Sequence, residues 1–292
     1  MIYLLFPLNA LGAALANSFI KIYRQRIDNT HIKDNLYYIL MIIVALLFFG
    51  ALSGFNLAVS PITLIYAFLY ALIAYLSVTF NMRALEKAEL VTVSVFVTSG
   101  SILWGSLWGM IFFKEQMSVT KILGVIAAVT AVLIPYFAER KKGQFNAKGF
   151  KYCFGLFFVS GFAQLIVKFH SVADNASPWS VFCFYTNLIL VPFIFLILRK
   201  QFTLKDFASG VTSLPKKYIF LVAGALLLNQ AVTFSGMFLI EKVELIIYSL
   251  TEKSFAIIAT GIVSKILFKE KITVPKLISI ILLTTTVAIS NI

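Results

Sequence analysis

Ten apolar runs of about 20 residues follow one another along the chain, and no other feature constrains its fold as strongly. A membrane-spanning helix needs roughly 20 consecutive, mainly apolar residues. The runs cover approximately residues 2–20, 36–56, 61–82, 90–112, 118–138, 152–172, 179–198, 218–240, 244–264 and 272–291. Only short polar segments separate them. The sequence therefore predicts an all-α membrane protein with ten transmembrane helices.

The composition excludes a hidden soluble domain. Hydrophobic residues make up 60% of the 292 residues, charged residues only 13%, and the mean hydropathy is +0.94. The net charge of +13 must lie in the short loops, where basic residues orient a membrane protein and attract anionic headgroups. We therefore expect membrane lipid as a partner, and no nucleic acid. The sequence leaves the oligomeric state open.

The chain contains an internal repeat. Leu85–Glu115 aligns without a gap onto Ile240–Glu270 at a constant offset of 155, and 11 of the 31 aligned positions are identical. A weaker match joins Ala16–Lys21 to Ala163–Lys168 at an offset of 147. Many transporters are built from two such copies of one helical unit.

The repeat divides the chain into residues 1–140 and residues 150–292, with five predicted helices in each part. Because five is odd, the second copy enters the membrane from the opposite side. The sequence therefore predicts two inverted five-helix repeats.

These features resemble the drug/metabolite transporter superfamily, in particular its ten-helix EamA-like members. The resemblance covers the whole chain and rests on the helix count and the duplication. It also rests on "FKE" at the ends of predicted helices 4 and 9 (Glu115, Glu270) and on the lysine that closes predicted helices 1 and 6 (Lys21, Lys168). It implies a small-molecule carrier that works by alternating access around a central cavity, with helices 5 and 10 at the periphery.

The chain departs from the family pattern at two matching places. Where the family often has a proline in helices 4 and 9, this sequence has Ser99-Gly100-Ser101 and Ser254-Phe255-Ala256. The subfamily therefore stays open.

The distribution of basic residues predicts an orientation. The loops that follow helices 1, 3, 5, 7 and 9 hold 20 of the 25 Lys and Arg residues, whereas the other side holds four. The positive-inside rule then places both termini outside the cytoplasm. Ten-helix relatives are commonly drawn with both termini inside, so the absolute topology stays open.

Predicted helix 9 contains two adjacent charged residues, Glu252 and Lys253, within the apolar stretch "IIYSLTEKSFAIIATG". Their distance from the ends of the run places them near the bilayer midplane. A charged residue there costs on the order of 2.5 to 3.5 kcal/mol, so compensating contacts must exist. Adjacent helical positions point about 100° apart, and we therefore expect each side chain to meet a different partner rather than its neighbour.

Polar residues on several other predicted helices are candidates to face the same cavity. Those selected as substrate-binding, together with the charged pair, are Tyr248 and Ser249 on helix 9, Thr98, Ser101 and Trp108 on helix 4, Asn17 on helix 1, Tyr75 on helix 3, Gln164 on helix 6, Tyr185 on helix 7 and Asn229 on helix 8. Tyr70, Asn187 and Gln230 are further candidates. The alternative for each is a helix-helix hydrogen bond, and the alternative for the charged pair is a structural ion pair.

The pattern favours a secondary transporter of small metabolites, such as an amino acid or a related solute, coupled to an ion or proton gradient or working by exchange. Glu252 is the candidate proton carrier and Lys253 the candidate anion contact. A carboxylate beside an ammonium group stays ionised, so the first role requires that substrate displaces the lysine. The abundance of Ile, Phe, Lys and Asn indicates a bacterium with an AT-rich genome, and hence its cell membrane.

Two other classes stay open. A flippase for a lipid-linked substrate would need a lateral opening toward lipid. An intramembrane enzyme would need a catalytic set at membrane depth, yet the two histidines, His31 and His170, lie near helix ends. Metal-ligand spacing and nucleotide-binding motifs are absent from the sequence. We therefore expect no enzyme activity and no metal or other cofactor.

Overall fold

The computed structural model describes residues 2–26, 30–116, 118–141, 147–198, 215–269 and 273–290. All regular secondary structure in these residues is helical, which confirms the prediction of an all-helical chain. After a short 3₁₀ turn, the described residues form ten helices: α1 (Leu5–Arg26), α2 (Thr30–Leu52), α3 (Pro61–Lys87), α4 (Leu90–Phe113), α5 (Val119–Lys141), α6 (Ala147–Ser171), α7 (Trp179–Leu198), α8 (Lys216–Lys242), α9 (Leu245–Phe268) and α10 (Val274–Ser290).

Six stretches of the described helices are long and apolar enough to cross a membrane. They are Leu5–Gln25, Pro61–Lys87, Leu90–Phe113, Gly149–Ser171, Lys216–Lys242 and Leu245–Phe268. Three shorter apolar helices are Leu36–Leu52, Val119–Ala131 and Trp179–Phe195. Large apolar side chains also cover the exterior: Leu47 is 62% exposed, Ile266 69% and Phe220 74%. Since water-soluble monomers rarely expose so much apolar surface, this is the architecture of a multi-pass membrane protein.

Local sequence explains several helix ends. The side chain of Ser60 accepts a hydrogen bond from the backbone N–H of Thr63, and Pro61 occupies the first turn of α3, where its missing N–H costs nothing. Helices α4 and α9 end alike, because Lys114 and Lys269 both adopt the left-handed conformation with φ 52°. A residue in this conformation commonly terminates a helix.

The regions that share the sequence repeat also share their backbone geometry. Helices α3 and α8 both contain 27 residues, and α4 and α9 both contain 24. The residues that end α3 and α8, Ala88 and Val243, have nearly the same backbone angles (φ −127°, ψ 161° and φ −131°, ψ 162°). The offset of 155 therefore holds through both helices of each pair.

The contacts between helices follow the same correspondence. Helix α3 packs against α6 and α7, and α8 packs against α1 and α2; α4 packs against α6, and α9 against α1. Helices α4 and α9 also pack against each other, as do α2 and α7 and, farther from the centre, α5 and α10. Exchanging α1–α5 for α6–α10 thus maps each of these contacts onto another or onto itself. We call these two groups the first and second halves.

A lysine at the end of the first helix of each half makes a corresponding contact. Lys21 Nζ lies 3.5 Å from the carbonyl oxygen of Ala88. Lys168 Nζ donates to the carbonyl oxygens of Val243 and Ile240, both at 3.0 Å. A cation near the C-terminal end of a helix satisfies carbonyls that have no intrahelical partner. These lysines therefore tie α1 to the end of α3 and α6 to the end of α8.

Glycines let α4 approach its neighbours closely. A Cβ atom on Gly105 would collide with the Ser249 side chain on α9, and one on Gly100 would collide with the backbone carbonyl of Phe157 on α6. Small residues at such positions allow close packing in membrane bundles, where dispersion contacts and not water exclusion hold helices together. Helix α4 is thus wedged between α6 and α9.

We expect Gly100→Ala to destabilise the protein by roughly 1–3 kcal/mol, because the added methyl group meets a backbone carbonyl that cannot rotate away. Gly224→Ala is the matched control, since a Cβ atom there meets nothing within 4 Å. Thermal unfolding of the purified protein in detergent measures both. Equal melting temperatures for the two variants would contradict the close α4–α6 approach.

Candidate functional site

A cavity of about 230 Å³ lies between the two halves, and Glu252 and Lys253 form part of its wall. Its other walls come from α1, α3 and α4 of the first half and from α6 and α8 of the second. Lining residues include Asn9, Ser101, Ser160, Gln164 and Tyr248. We call it the charged cavity.

The two charged side chains bind each other. Lys253 Nζ lies 2.5 Å from Glu252 Oε2, and Glu252 is 3% exposed. The expectation that each would meet a partner other than its neighbour was therefore wrong. The backbone directions do diverge by about 100°, but the long flexible stem of a lysine can bend back to an adjacent carboxylate. Glu252 is the eighth of the 24 residues of α9, about 10 Å from its first residue.

The Glu252 carboxylate has a second partner that the sequence reasoning missed. Asn9 Nδ2 on α1 donates to Glu252 Oε1 at 3.3 Å, and Asn9 is 5% exposed. The side-chain oxygen of Asn9, Oδ1, in turn accepts a short hydrogen bond from the Ser235 hydroxyl on α8. A polar chain thus runs from α8 through α1 to α9, so three helices fix the position of the carboxylate.

The Lys253 ammonium group also has an aromatic neighbour. Its Nζ lies 5.7 Å from the ring centre of Tyr248, five residues earlier on α9. A cation over an aromatic face is stabilised by about 0.5–1 kcal/mol at exposed sites and more where water is excluded. Tyr248 is 4% exposed and lines the cavity. The ammonium group is therefore held by a carboxylate and an aromatic ring.

Gln164 on α6 supplies an amide to the same cavity. Its Oε1 accepts a hydrogen bond from Ser249 Oγ at 2.9 Å, while its buried Nε2 has no hydrogen-bond partner among the described residues. Ser249 is fully buried and does not line the cavity. Ser249 thus positions Gln164, and the amide nitrogen stays available as a donor.

The α4 wall is uncharged. Val97, the repeat counterpart of Glu252, lines the charged cavity, and so does Ser101. Thr98, the counterpart of Lys253, is buried but lines neither of the two cavities described here. Trp108 lies outside both as well, with its ring packed on Trp104 and Phe162 at 5.4 and 5.5 Å between centres. The two halves therefore differ at these positions, because α9 carries two charged residues and α4 has uncharged counterparts.

A second cavity of about 240 Å³ adjoins the first, and Tyr70, Ala163 and Thr233 line both. Two of the predicted residues, Asn17 and Asn229, lie here and not beside the charged pair. They share this wall with Asn81, Thr186, Asn187 and Gln230. We call it the amide cavity. The polar candidates thus fall into two adjacent groups.

Two predicted residues serve helix packing instead. Tyr75 on α3 stacks on Phe193 of α7, with ring centres 6.3 Å apart. The Tyr185 hydroxyl donates to the carbonyl oxygen of Leu57 at 3.0 Å and so fastens α7 to the connection between α2 and α3. Neither tyrosine lines either cavity.

The "FKE" glutamate of the first half, Glu115, caps a helix. Its carboxylate oxygens accept hydrogen bonds from the backbone N–H groups of Leu245 and Ile246, at 2.8 and 3.0 Å. A carboxylate at a helix N-terminus satisfies free donors and complements the helix dipole. Glu115 therefore joins the end of α4 to the start of α9. Its repeat counterpart, Glu270, lies outside the described residues.

The site has the chemistry of a binding pocket for a small polar molecule. A carboxylate, an ammonium group and a free amide donor line one cavity. Among the described residues, no group of three or more His, Cys, Asp or Glu side chains is placed to hold a metal ion. The arrangement complements a solute that carries both an amine and a carboxylate.

Comparison with known proteins gives a fold and no function. The sequence matches no protein-family model and no curated protein. In three dimensions the chain is similar to a solved structure described as "Crystal structure of protein", with a TM-score of 0.62 and 12% sequence identity, over 98% of this chain and 95% of that one. At this identity the likeness concerns the fold alone.

Because Glu252 is buried, removing its cation should cost more than removing both charges. We expect Lys253→Met to lower the stability by roughly 2 kcal/mol and the added change Glu252→Gln to restore part of that loss. Thermal unfolding of the single and double variants in detergent measures the coupling. Strictly additive effects would show that the two charges do not stabilise each other.

Proposed function

We propose that the chain is a secondary transporter of small metabolites in a bacterial cell membrane, built as two inverted five-helix repeats like the EamA-like members of the drug/metabolite transporter superfamily. Supporting observations are the sequence repeat, the equal lengths of α3 and α8 and of α4 and α9, and the corresponding helix contacts of the two halves. All ten helices cross the membrane in this proposal, the shorter ones included. The chain carries out no covalent chemistry.

The observation that carries the proposal is the position of the Glu252–Lys253 pair on the wall of a cavity between the halves. An ion pair with a purely structural role is costly inside a membrane protein, and an apolar pair of similar size often stabilises the fold at least as well. The repeat counterparts on α4, Val97 and Thr98, are uncharged. The charged pair is therefore best explained by a ligand.

In the proposed cycle a zwitterionic solute replaces the intramolecular ion pair. Its carboxylate binds Lys253 Nζ and the free amide donor of Gln164, and its amine binds the Glu252 carboxylate, which Asn9 holds in place. Each charge thus keeps an opposite charge when the solute enters, so the cost of desolvation does not rise. Movement of one group of packed helices against another then exposes the cavity to the opposite side.

Coupling to a proton gradient would use the same carboxylate. In this mode the solute's carboxylate binds Lys253 before its amine reaches Glu252, and at that step the Glu252 carboxylate lacks a cation and can accept a proton from the opened side. An exchanger, by contrast, would need solute on both sides and no proton. The two modes are distinguished by whether an imposed pH gradient alone drives net flux.

The test is flux in proteoliposomes with an imposed pH gradient and a panel of radiolabelled amino acids and related solutes. We expect Glu252→Gln and Lys253→Met each to reduce flux of the transported solute at least tenfold, because each removes one partner of the bound zwitterion. The matched controls are Glu241→Gln and Lys242→Met. These residues form the same adjacent ion pair at 2.6 Å, but at the exposed end of α8, and their variants should keep normal flux.

Normal flux in all four variants would refute the role of the charged pair. If no solute moves in the wild type either, although the protein is inserted and folded, the chain is not a transporter of this class. Movement of a fluorescent lipid between leaflets in the same vesicles would then favour a flippase.

A further inference from the structure

We infer that the amide cavity binds the uncharged, hydrogen-bonding tail of a solute whose zwitterionic head lies at Glu252 and Lys253. This inference rests on the proposed function and narrows its substrate class. It concerns the part of the solute that the charged pair does not recognise.

The amide cavity differs from the charged cavity in its chemistry. None of the described residues that line it is Asp, Glu, Lys, Arg or His. Five carboxamide side chains line it instead: Asn17, Asn81, Asn187, Asn229 and Gln230. A carboxamide both donates and accepts hydrogen bonds, so this wall complements amide, urea or hydroxyl groups. An ionic group would find no counter-ion here.

Some polar atoms in the wall of the amide cavity can still form hydrogen bonds with a ligand. Asn81 Nδ2 donates to Asn17 Oδ1 at 3.3 Å, and Asn187 Nδ2 donates to the carbonyl oxygen of Cys183 at 2.8 Å. Thr186 is 3% exposed, and its hydroxyl has no hydrogen-bond partner among the described residues. A buried polar atom without a partner lowers stability, and an incoming ligand group can recover that loss by forming the missing hydrogen bond.

The internal repeat relates the two cavities to each other. Asn17 in the amide cavity is the counterpart of Gln164 in the charged cavity, at the offset of 147. At the offset of 155, Ser77 and Val78 in the amide cavity are the counterparts of Val232 and Thr233 in the charged cavity. The duplication thus gives two similar compartments, of which only one carries an ion pair in its wall.

The dimensions suit one elongated solute. Asn9 and Asn17 lie eight residues apart on α1, which is about 12 Å along its axis. The wall shared by the two cavities consists of Tyr70 and the smaller residues Ala163 and Thr233. A zwitterionic head at the charged pair therefore leaves room for a short methylene chain with a polar end in the amide cavity.

Three amino acids test this tail directly. Citrulline has an uncharged ureido end, norleucine an apolar end and arginine a guanidinium end similar in shape to the ureido group. Binding to the wild type in lipid nanodiscs is measured by calorimetry. We expect citrulline to bind about tenfold more tightly than norleucine, since two hydrogen bonds contribute roughly that factor. Arginine should bind more weakly than citrulline, because its tail would lose water without gaining a counter-ion.

Variants assign the effect to the amide cavity. Thr186→Val and Asn229→Leu should each weaken citrulline binding about fivefold and leave norleucine binding unchanged. Thr251→Val is the matched control, because Thr251 is also buried, its hydroxyl has no hydrogen-bond partner in the part of the chain that the structure describes, and it lines neither cavity. Ala163→Leu places a larger side chain in the wall that the two cavities share. It should weaken citrulline binding and leave the binding of alanine, which has no tail, unchanged.

The inference fails if citrulline and norleucine bind alike, or if Thr186→Val and Asn229→Leu weaken both to the same extent. It also fails if none of the three amino acids binds. In that case flux of another solute in the proteoliposome panel, abolished by Glu252→Gln, would leave the proposed transport function standing. Loss of all flux and all binding would overturn both.

Discussion

A carboxylate and an ammonium group inside a membrane-embedded helix are stable only where other polar atoms surround them. In this protein Asn9 and Ser235 complete the surroundings of the Glu252 carboxylate, and the Tyr248 ring lies near the ammonium group of Lys253. These partners come from α1, α8 and α9, so the contacts of one ion pair connect three helices. The same contacts line a polar cavity between the two halves of a bundle that is apolar on its outside.

The repeated architecture explains how such a space forms between two similar walls. In each half a lysine at the end of the first helix binds the carbonyl group that ends the third. Between the halves, Gly105 brings α4 against α9, and Glu115 caps the first turn of α9. Contacts of α3 and α4 with α6, and of α1 with α8 and α9, also join the two halves. The charged cavity lies among these contacts, where a relative movement of the packed helices would open it.

Much of the fold could be predicted from the sequence. Runs of apolar residues show where helices long enough to span a membrane lie, and the repeat shows which helices of the two halves correspond. The ten helices and their positions followed from these two patterns. The charged pair was likewise identifiable, because Glu252 and Lys253 interrupt an apolar run. That argument needs no knowledge of the neighbouring helices.

The details of the site could not be predicted, because helical periodicity does not give the rotation of one helix relative to the next. Asn9 resembles Asn17 in sequence, as a lone amide in an apolar helix, yet the two lie in different cavities. Tyr75 and Tyr185 face other helices rather than a cavity. The pairing of Glu252 with Lys253 depends on the conformation of the lysine side chain, and residue spacing in the sequence does not predict that conformation.

The central claim is that the space beside the charged pair opens alternately to the two sides of the membrane. Cysteine accessibility tests it most directly, after replacement of the buried Cys153 and Cys183 by alanine. A cysteine at Thr233, which lines both cavities, should react with a membrane-impermeant thiol reagent from either side, and bound solute should slow the reaction. A cysteine at the buried Thr251 should stay unreactive. Reaction at Thr233 from one side only, under every gradient and with every solute, would contradict alternating access.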